Sequence, residues 1–198
     1  AKNSVLKLMV AALLGQGTFS LENVPQITDV NTMIGVLRAL GVQVQFQAPR
    51  MQLSVSSVQG STPQELVKAM RASIQVMGPL LARLGHVEVA KPGGCAIGRR
   101  PLDIHLSGFQ QMGASIESEG DVFVARAPRL HGADISFRYP SVGATENIMM
   151  AATLAKGRTV IRNAAREPEI VDIQDFLNQM GARIKGAGTP VITIEGVH

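Results

Sequence analysis

The chain of 198 residues has no tryptophan, one tyrosine, one cysteine and only six phenylalanines. That aromatic supply leaves little with which to stack bases, and the basic residues are scattered rather than blocked. Both features argue against a nucleic-acid partner. A lone cysteine excludes an internal disulfide and any cysteine-rich metal centre, and it fits a reducing compartment. No apolar run is long enough to span a bilayer. The stretch Val5 to Leu14, behind Lys2, has the charged-then-hydrophobic order of a secretory leader. The same pattern recurs twice downstream, so it belongs to the fold. A chain that opens at Ala1 directly into a helix reads as a piece of something longer. The net charge of +4 suits an anionic ligand without requiring one.

The single cysteine sits in the run Lys91-Pro92-Gly93-Gly94-Cys95-Ala96-Ile97-Gly98-Arg99-Arg100-Pro101. Glycine and proline at this density define a turned loop. Lys91, Arg99 and Arg100 lie within five residues of the thiol, and cations lower a thiol pKa from its usual value of about 8.5. The alternative is a buried structural cysteine, which suits a strand or helix interior better than this loop.

Three copies of one unit fill the chain. An apolar helix runs into Gly17, Gly85 and Gly157, which lie 68 and 72 residues apart, and an alternating strand follows each. A second, amphipathic helix ends at Gly41, Gly113 and Gly181, spaced by 72 and 68 residues. Glycine there predicts a left-handed C-terminal cap. The units fall at about 1–65, 66–138 and 139–198 within one domain. The first helix of each is apolar almost all round, which predicts burial on every face. The second carries one apolar stripe, as in Val30, Met33, Ile34, Val36 and Leu37, or Ile170, Ile173, Phe176, Leu177 and Met180. Runs such as VQVQFQ, DVFVARA, DISFRYP and VITIEGV predict strands with one wet face. The expected class is α+β, with buried parallel helices at the centre and sheets outside.

Counting fourteen residues back from Gly17, Gly85 and Gly157 reaches Asn3, Arg71 and Gly143. These residues therefore occupy equivalent places at three helix starts. Parallel helices would gather their amide-rich, dipole-positive ends at one pole, an arrangement that attracts anions. Simple capping accounts equally for Asn3 and Ser141. It does not account for Lys2 and Arg71, cations where helix starts favour carboxylates.

The AKNS start, the MRAS segment, the PGGC-x-IG-x-RP-x-D loop, PSVGATEN and NAAREPEIVD together resemble the UDP-N-acetylglucosamine enolpyruvyl transferases, from one end of the chain to the other. The resemblance implies an inverse, inside-out α/β barrel of three βαβαββ-like repeats, forming one of the two domains of the full enzyme. It also implies transfer of enolpyruvate from phosphoenolpyruvate to the 3-hydroxyl of UDP-N-acetylglucosamine with loss of phosphate. That step commits material to peptidoglycan in the bacterial cytoplasm. No metal and no cofactor is implied, and neither a membrane nor a nucleic acid. The partners implied are the two substrates and the missing second domain of the enzyme.

Carried over by motif position, Cys95 is the general acid for the enolpyruvyl methylene, the site of a covalent phosphoenolpyruvate adduct and the target of fosfomycin. Lys2, Asn3 and Arg100 bind phosphoenolpyruvate, and Asn3 also holds the amino sugar. Arg71 faces the nucleotide-sugar. The run Arg100, Pro101, Leu102, Asp103, Ile104 holds the uridine, and Tyr139, Pro140, Ser141, Val142, Gly143 line the diphosphate. Asp103 suits either a uracil N–H or a helix N-terminus. The chain departs from the family at Arg99, Gln75 and Tyr139, the last standing where some members carry lysine. His86, His105, His131 and His198 match no catalytic position and read as surface or packing residues. A 3-phosphoshikimate 1-carboxyvinyltransferase would share the fold and chemistry, but it lacks the PGGC loop. A non-catalytic repeat scaffold leaves Lys2, Asn3, Arg71, Cys95 and Arg100 without a reason to occur together. A redox-sensing cysteine leaves the helix starts unexplained.

Overall fold

The computed structural model describes residues 2–58, 74, 76–91 and 102–197, with Lys2, Asn3 and Ala90 described by backbone alone. The elements run α1 (Lys2–Ala11), β1 (Gly17–Leu21), α2 (Thr28–Ala39), β2 (Gln43–Gln47) and β3 (Arg50–Val55). They continue with α3 (Met77–Leu84), β4 (His86–Ala90), α4 (Asp103–Gln111), β5 (Ser115–Glu119) and β6 (Val122–Arg126). The last group is β7 (Asp134–Ser136), α5 (Val142–Ala152), β8 (Arg158–Arg162), α6 (Pro168–Gln179), β9 (Arg183–Lys185) and β10 (Val191–Glu195).

The strands form three open sheets, ordered β1-β3-β2, β4-β6-β5 and β7-β8-β10-β9. Among the described residues no sheet closes into a barrel. In each sheet the first strand after the apolar helix pairs antiparallel with the last of its unit, which pairs with the one between. The third sheet adds β7, which runs parallel to β8 with Ile135 opposite Ile161. Thus β7, upstream of the 138/139 boundary drawn from the repeats, belongs with the strands that follow it.

Helix α5 is the hub. Every residue from Ala144 to Ala152 is buried, and α3, α4 and α6 all pack against it. The contacts are close because two facing positions are glycine. A Cβ on Gly78 would stand 2.3 Å from Asn147 Oδ1 and 2.5 Å from Asn147 O, and one on Gly108 would stand 2.6 Å from Ile148 Cδ1. The second helices show the expected stripes, with Val30, Met33, Ile34, Val36 and Leu37 buried in α2 and Ile170, Ile173 and Leu177 in α6. Phe176 and Met180 are only partly buried and lie beside Phe19 of β1, with ring centroids of Phe19 and Phe176 6.4 Å apart.

Helix ends follow local chemistry. Gly85 closes α3 at φ +73°, where any Cβ would also meet Ala127 O at 2.7 Å. Pro168 opens α6, where a missing N–H costs nothing. Asn3 lies inside the first turn of α1 rather than at a cap, and Gly143 holds the same second position in α5.

Candidate active site

The start of α5 is fixed by its own residues. Ser141 adopts extended angles as the N-cap, and its hydroxyl accepts from Ala144 N at 3.2 Å. Thr145 Oγ1 donates to Ser141 O at 2.7 Å and accepts from Ala165 N at 3.1 Å, which ties this turn to the segment entering α6. One first-turn amide is thus capped internally.

Contacts between helices show how their starts are arranged. Lys7, the sixth residue of α1, lies 4.0 Å from the Glu146 carboxylate, on the fifth residue of α5. Ser4 Oγ donates to Asp172 Oδ2 of α6 at 2.5 Å. His105 of α4 meets Asn147 of α5 at 3.1 Å, and Gly78 N of α3 donates to Asn147 Oδ1 at 2.8 Å. Every contact joins residues from the first two turns of its helices. The early turns of α1, α3, α4, α5 and α6 are therefore linked, through α1 and α5, by one chain of side-chain contacts. Positive dipole ends accumulate there.

Beneath these helix starts is a buried polar set that the sequence reading did not single out. The side chain of Glu146 is fully buried, and neither of its oxygens has a hydrogen-bond partner among the described residues. Burial pushes its carboxyl up to about 7, against the pull of Lys7 and helped by Glu169 and Glu167. Burial likewise pulls the Lys7 ammonium below its ordinary range, and Glu146 and Glu169 oppose this. Asn147 makes three hydrogen bonds: Oδ1 takes the Gly78 N–H, and Nδ2 donates to Ile74 O at 3.2 Å and to His105 Nδ1. The backbone N–H at Gly78 fixes the amide orientation, so His105 Nδ1 must accept and its ring proton belongs on Nε2. Burial, with Lys7 nearby, lowers the His105 pKa to about 4, while Asp103 acts the other way. His105 is thus a neutral, hydrogen-bonded core residue, more than the packing group its lack of a motif suggested. The available signal was a Glu-Asn pair inside a helix otherwise apolar all round.

Of the residues expected to bind ligand, the structure brings two segments together. Leu102, Asp103 and buried Ile104 form the start of α4, and Tyr139 to Gly143 lead into α5. Arg138, which was not among the expected residues, joins them by an ion pair to Asp103 Oδ2. Tyr139 and Pro140 are exposed, and Ser141, Val142 and Gly143 are half-buried. Arg71, Cys95, Arg100 and Pro101 lie outside the described residues, as do the side chains of Lys2 and Asn3. A shallow groove lined by Gly15, Phe19, Phe176 and Met180 lies at the C-terminal ends of α1 and α6 and contains none of the expected residues. Among the described residues, no three His, Cys, Asp or Glu side chains are grouped to hold a metal ion. None of the described helices is long and apolar enough to cross a membrane.

Three α-β-α-β-β units with helix starts gathered at one pole define a class. The pattern of the EPSP synthase (3-phosphoshikimate 1-carboxyvinyltransferase) family matches residues 1–198, and the chain belongs to that family. Within it, the chain is 54% identical over 198 residues to UDP-N-acetylglucosamine 1-carboxyvinyltransferase 2 of Carboxydothermus hydrogenoformans, covering all of this chain and 47% of that protein. It is 53% identical over 197 residues to UDP-N-acetylglucosamine 1-carboxyvinyltransferase 1 of Caldanaerobacter subterraneus subsp. tengcongensis, covering 48% of that protein. The chain therefore spans about half the length of the curated relatives it matches. Among solved structures, the enolpyruvyl transferase NikO from Streptomyces tendae superposes with a TM-score of 0.86 at 20% identity, over 99% of this chain and 46% of that one. EPSP synthase from Acinetobacter baumannii gives 0.79 at 17% identity, over 100% and 46%. At such identities the likeness is one of fold.

Proposed function

We propose that this chain is the cysteine-loop half of a cytoplasmic bacterial enzyme. That enzyme moves enolpyruvate from phosphoenolpyruvate to the 3-hydroxyl of UDP-N-acetylglucosamine and releases inorganic phosphate, the first committed step of peptidoglycan synthesis. The observation that carries the reading is 54% identity along the whole chain to a protein named for that reaction. The PGGC loop favours it over the 3-phosphoshikimate reaction. The same reading makes the domain an inside-out barrel, with its three sheets outside the helices.

Both substrates are anions, and the gathered helix starts are where this fold favours negative charge. In this reading Arg100, Pro101, Leu102, Asp103 and Ile104 hold the uridine and Tyr139 to Gly143 the diphosphate. Arg71 faces the nucleotide-sugar. Lys2 and Arg100 supply a point charge and a planar fork for the phosphate and carboxylate of phosphoenolpyruvate, and Asn3 holds the amino sugar. Cys95 delivers a proton to the methylene carbon as the sugar oxygen bonds to the neighbouring carbon. An oxocarbenium-like centre beside a departing phosphate is stabilised by position and charge. A glycine-rich loop is suited to close over such a site and exclude water.

The second half of the enzyme supplies a carboxylate base near the sugar hydroxyl and a further arginine for phosphoenolpyruvate. The test is phosphate release after mixing this chain with the complementary half of the Carboxydothermus relative and both substrates. Release that needs both polypeptides and is lost in Cys95→Ala supports the reading. Turnover by this chain alone contradicts it.

A further inference from the structure

Arg138 lies in the run DISFRYP, which the sequence marks only as a strand, yet it bridges the two segments assigned to the nucleotide. Its backbone is anchored on the residue before it. Phe137 is buried, its N–H donates to Arg162 O at 3.0 Å, and its carbonyl accepts from Asn163 Nδ2 at 3.0 Å. From that fixed point the guanidinium reaches the first residue of α4 and binds Asp103 Oδ2. This contact engages Oδ2 and leaves Oδ1 outside the pair.

We propose that Arg138 is a positioning residue for base selection. It holds one Asp103 oxygen so that the other is presented to a pyrimidine N3–H beside the diphosphate segment. The inference rests on the nucleotide-sugar reading given above. Its chemistry is specific: uracil carries a hydrogen at N3, which a carboxylate accepts, whereas cytosine presents a lone pair there, which a carboxylate repels. Unpaired, Asp103 at an exposed helix start would sample several rotamers and would have to be ordered by the ligand itself. The pair is exposed, with side chains 66% and 57% accessible, so it contributes little to folding. Its value lies in orientation.

The test is calorimetric titration of the chain with UDP and with CDP. The unsubstituted chain prefers UDP. Arg138→Ala lowers UDP affinity about tenfold, the size of one charge-assisted hydrogen bond, and leaves CDP binding almost unchanged, so the preference collapses. Arg138→Lys restores part of it. Asp103→Asn removes the preference, and adding Arg138→Ala to that variant changes nothing further. Equal losses for UDP and CDP in Arg138→Ala would mark a merely structural role and overturn the inference. An intact UDP preference in that variant would overturn it too, while the nucleotide-sugar reading stands. Failure of the unsubstituted chain to bind either nucleotide would remove both.

Discussion

His105 and Glu146 titrate in opposite senses, and replacing one should expose the other. Native His105 stays neutral down to a pKa of about 4, whereas in the unfolded chain it takes a proton near 6.5. The unfolded state then binds more protons, so this contribution is present above pH 6.5 and is lost as pH falls towards 4. Native Glu146 keeps its proton up to about 7, against 4.5 when unfolded. Its contribution is present below pH 4.5 and is lost as pH rises towards 7. Each displacement corresponds to roughly 3 kcal/mol, so between pH 4.5 and 6.5 the two slopes nearly cancel. Glu146→Gln removes one slope. The two pH units from 4.5 to 6.5 carry about 2.7 kcal/mol of the remaining slope, so relative to the parent its Tm should climb by about 5–11 °C, at about 2–4 °C per kcal/mol for a chain this long. His105→Gln keeps an acceptor for Asn147, and relative to the parent its Tm should fall over the same interval. Scanning calorimetry at constant ionic strength reads both. Profiles for the two variants that run parallel to the parent would refute the reasoning.

Two further substitutions test the packing beneath the helix starts. Lys7→Met leaves Glu146 facing only Glu167 and Glu169, which should cost about 3–5 kcal/mol above pH 7 and much less at pH 5, where Glu146 holds a proton. The double variant Lys7→Met/Glu146→Leu should recover most of the loss in urea unfolding, and equal losses for the single variant at both pH values would contradict this. Gly78→Ala places a methyl 2.5 Å from Asn147 O. It should lower stability by about 1–3 kcal/mol, and a parent-like denaturation midpoint would show that α3 and α5 can separate freely.

Much of the fold was legible because glycines and periodicity punctuate it. Gly41, Gly113 and Gly181 all have positive φ (+96°, +98° and +105°) at the ends of the helices they were expected to close. The stripe in α2 is buried as its spacing requires. Other features depend on partners that local pattern does not reveal. The pairing of β7 with β8 crosses the boundary suggested by repeat spacing, because a three-residue strand joins whichever sheet edge is open to it. Phe176 and Met180 continue the α6 stripe but reach its exposed end, beside Phe19. Asn3 has the residue type of a cap and yet sits within the helix. In the site, the approach of the 102–104 and 139–143 segments was expected from the resemblance alone. Arg138, Glu146 and Asn147 had no role read from sequence, and His105 read only as a surface or packing residue, because a polar side chain on a helix or in a loop looks like a surface residue until its neighbours in other elements are known.

In the function proposed above, the helix starts receive the nucleotide-sugar. Amide hydrogen exchange with and without UDP-N-acetylglucosamine tests it most directly. Slower exchange is expected in peptides covering residues 102–105 and 141–145, with residues 158–162 and 191–195 unaffected. Protection confined to the sheets or to the groove beside Phe19 and Phe176, with none at the helix starts, would contradict it.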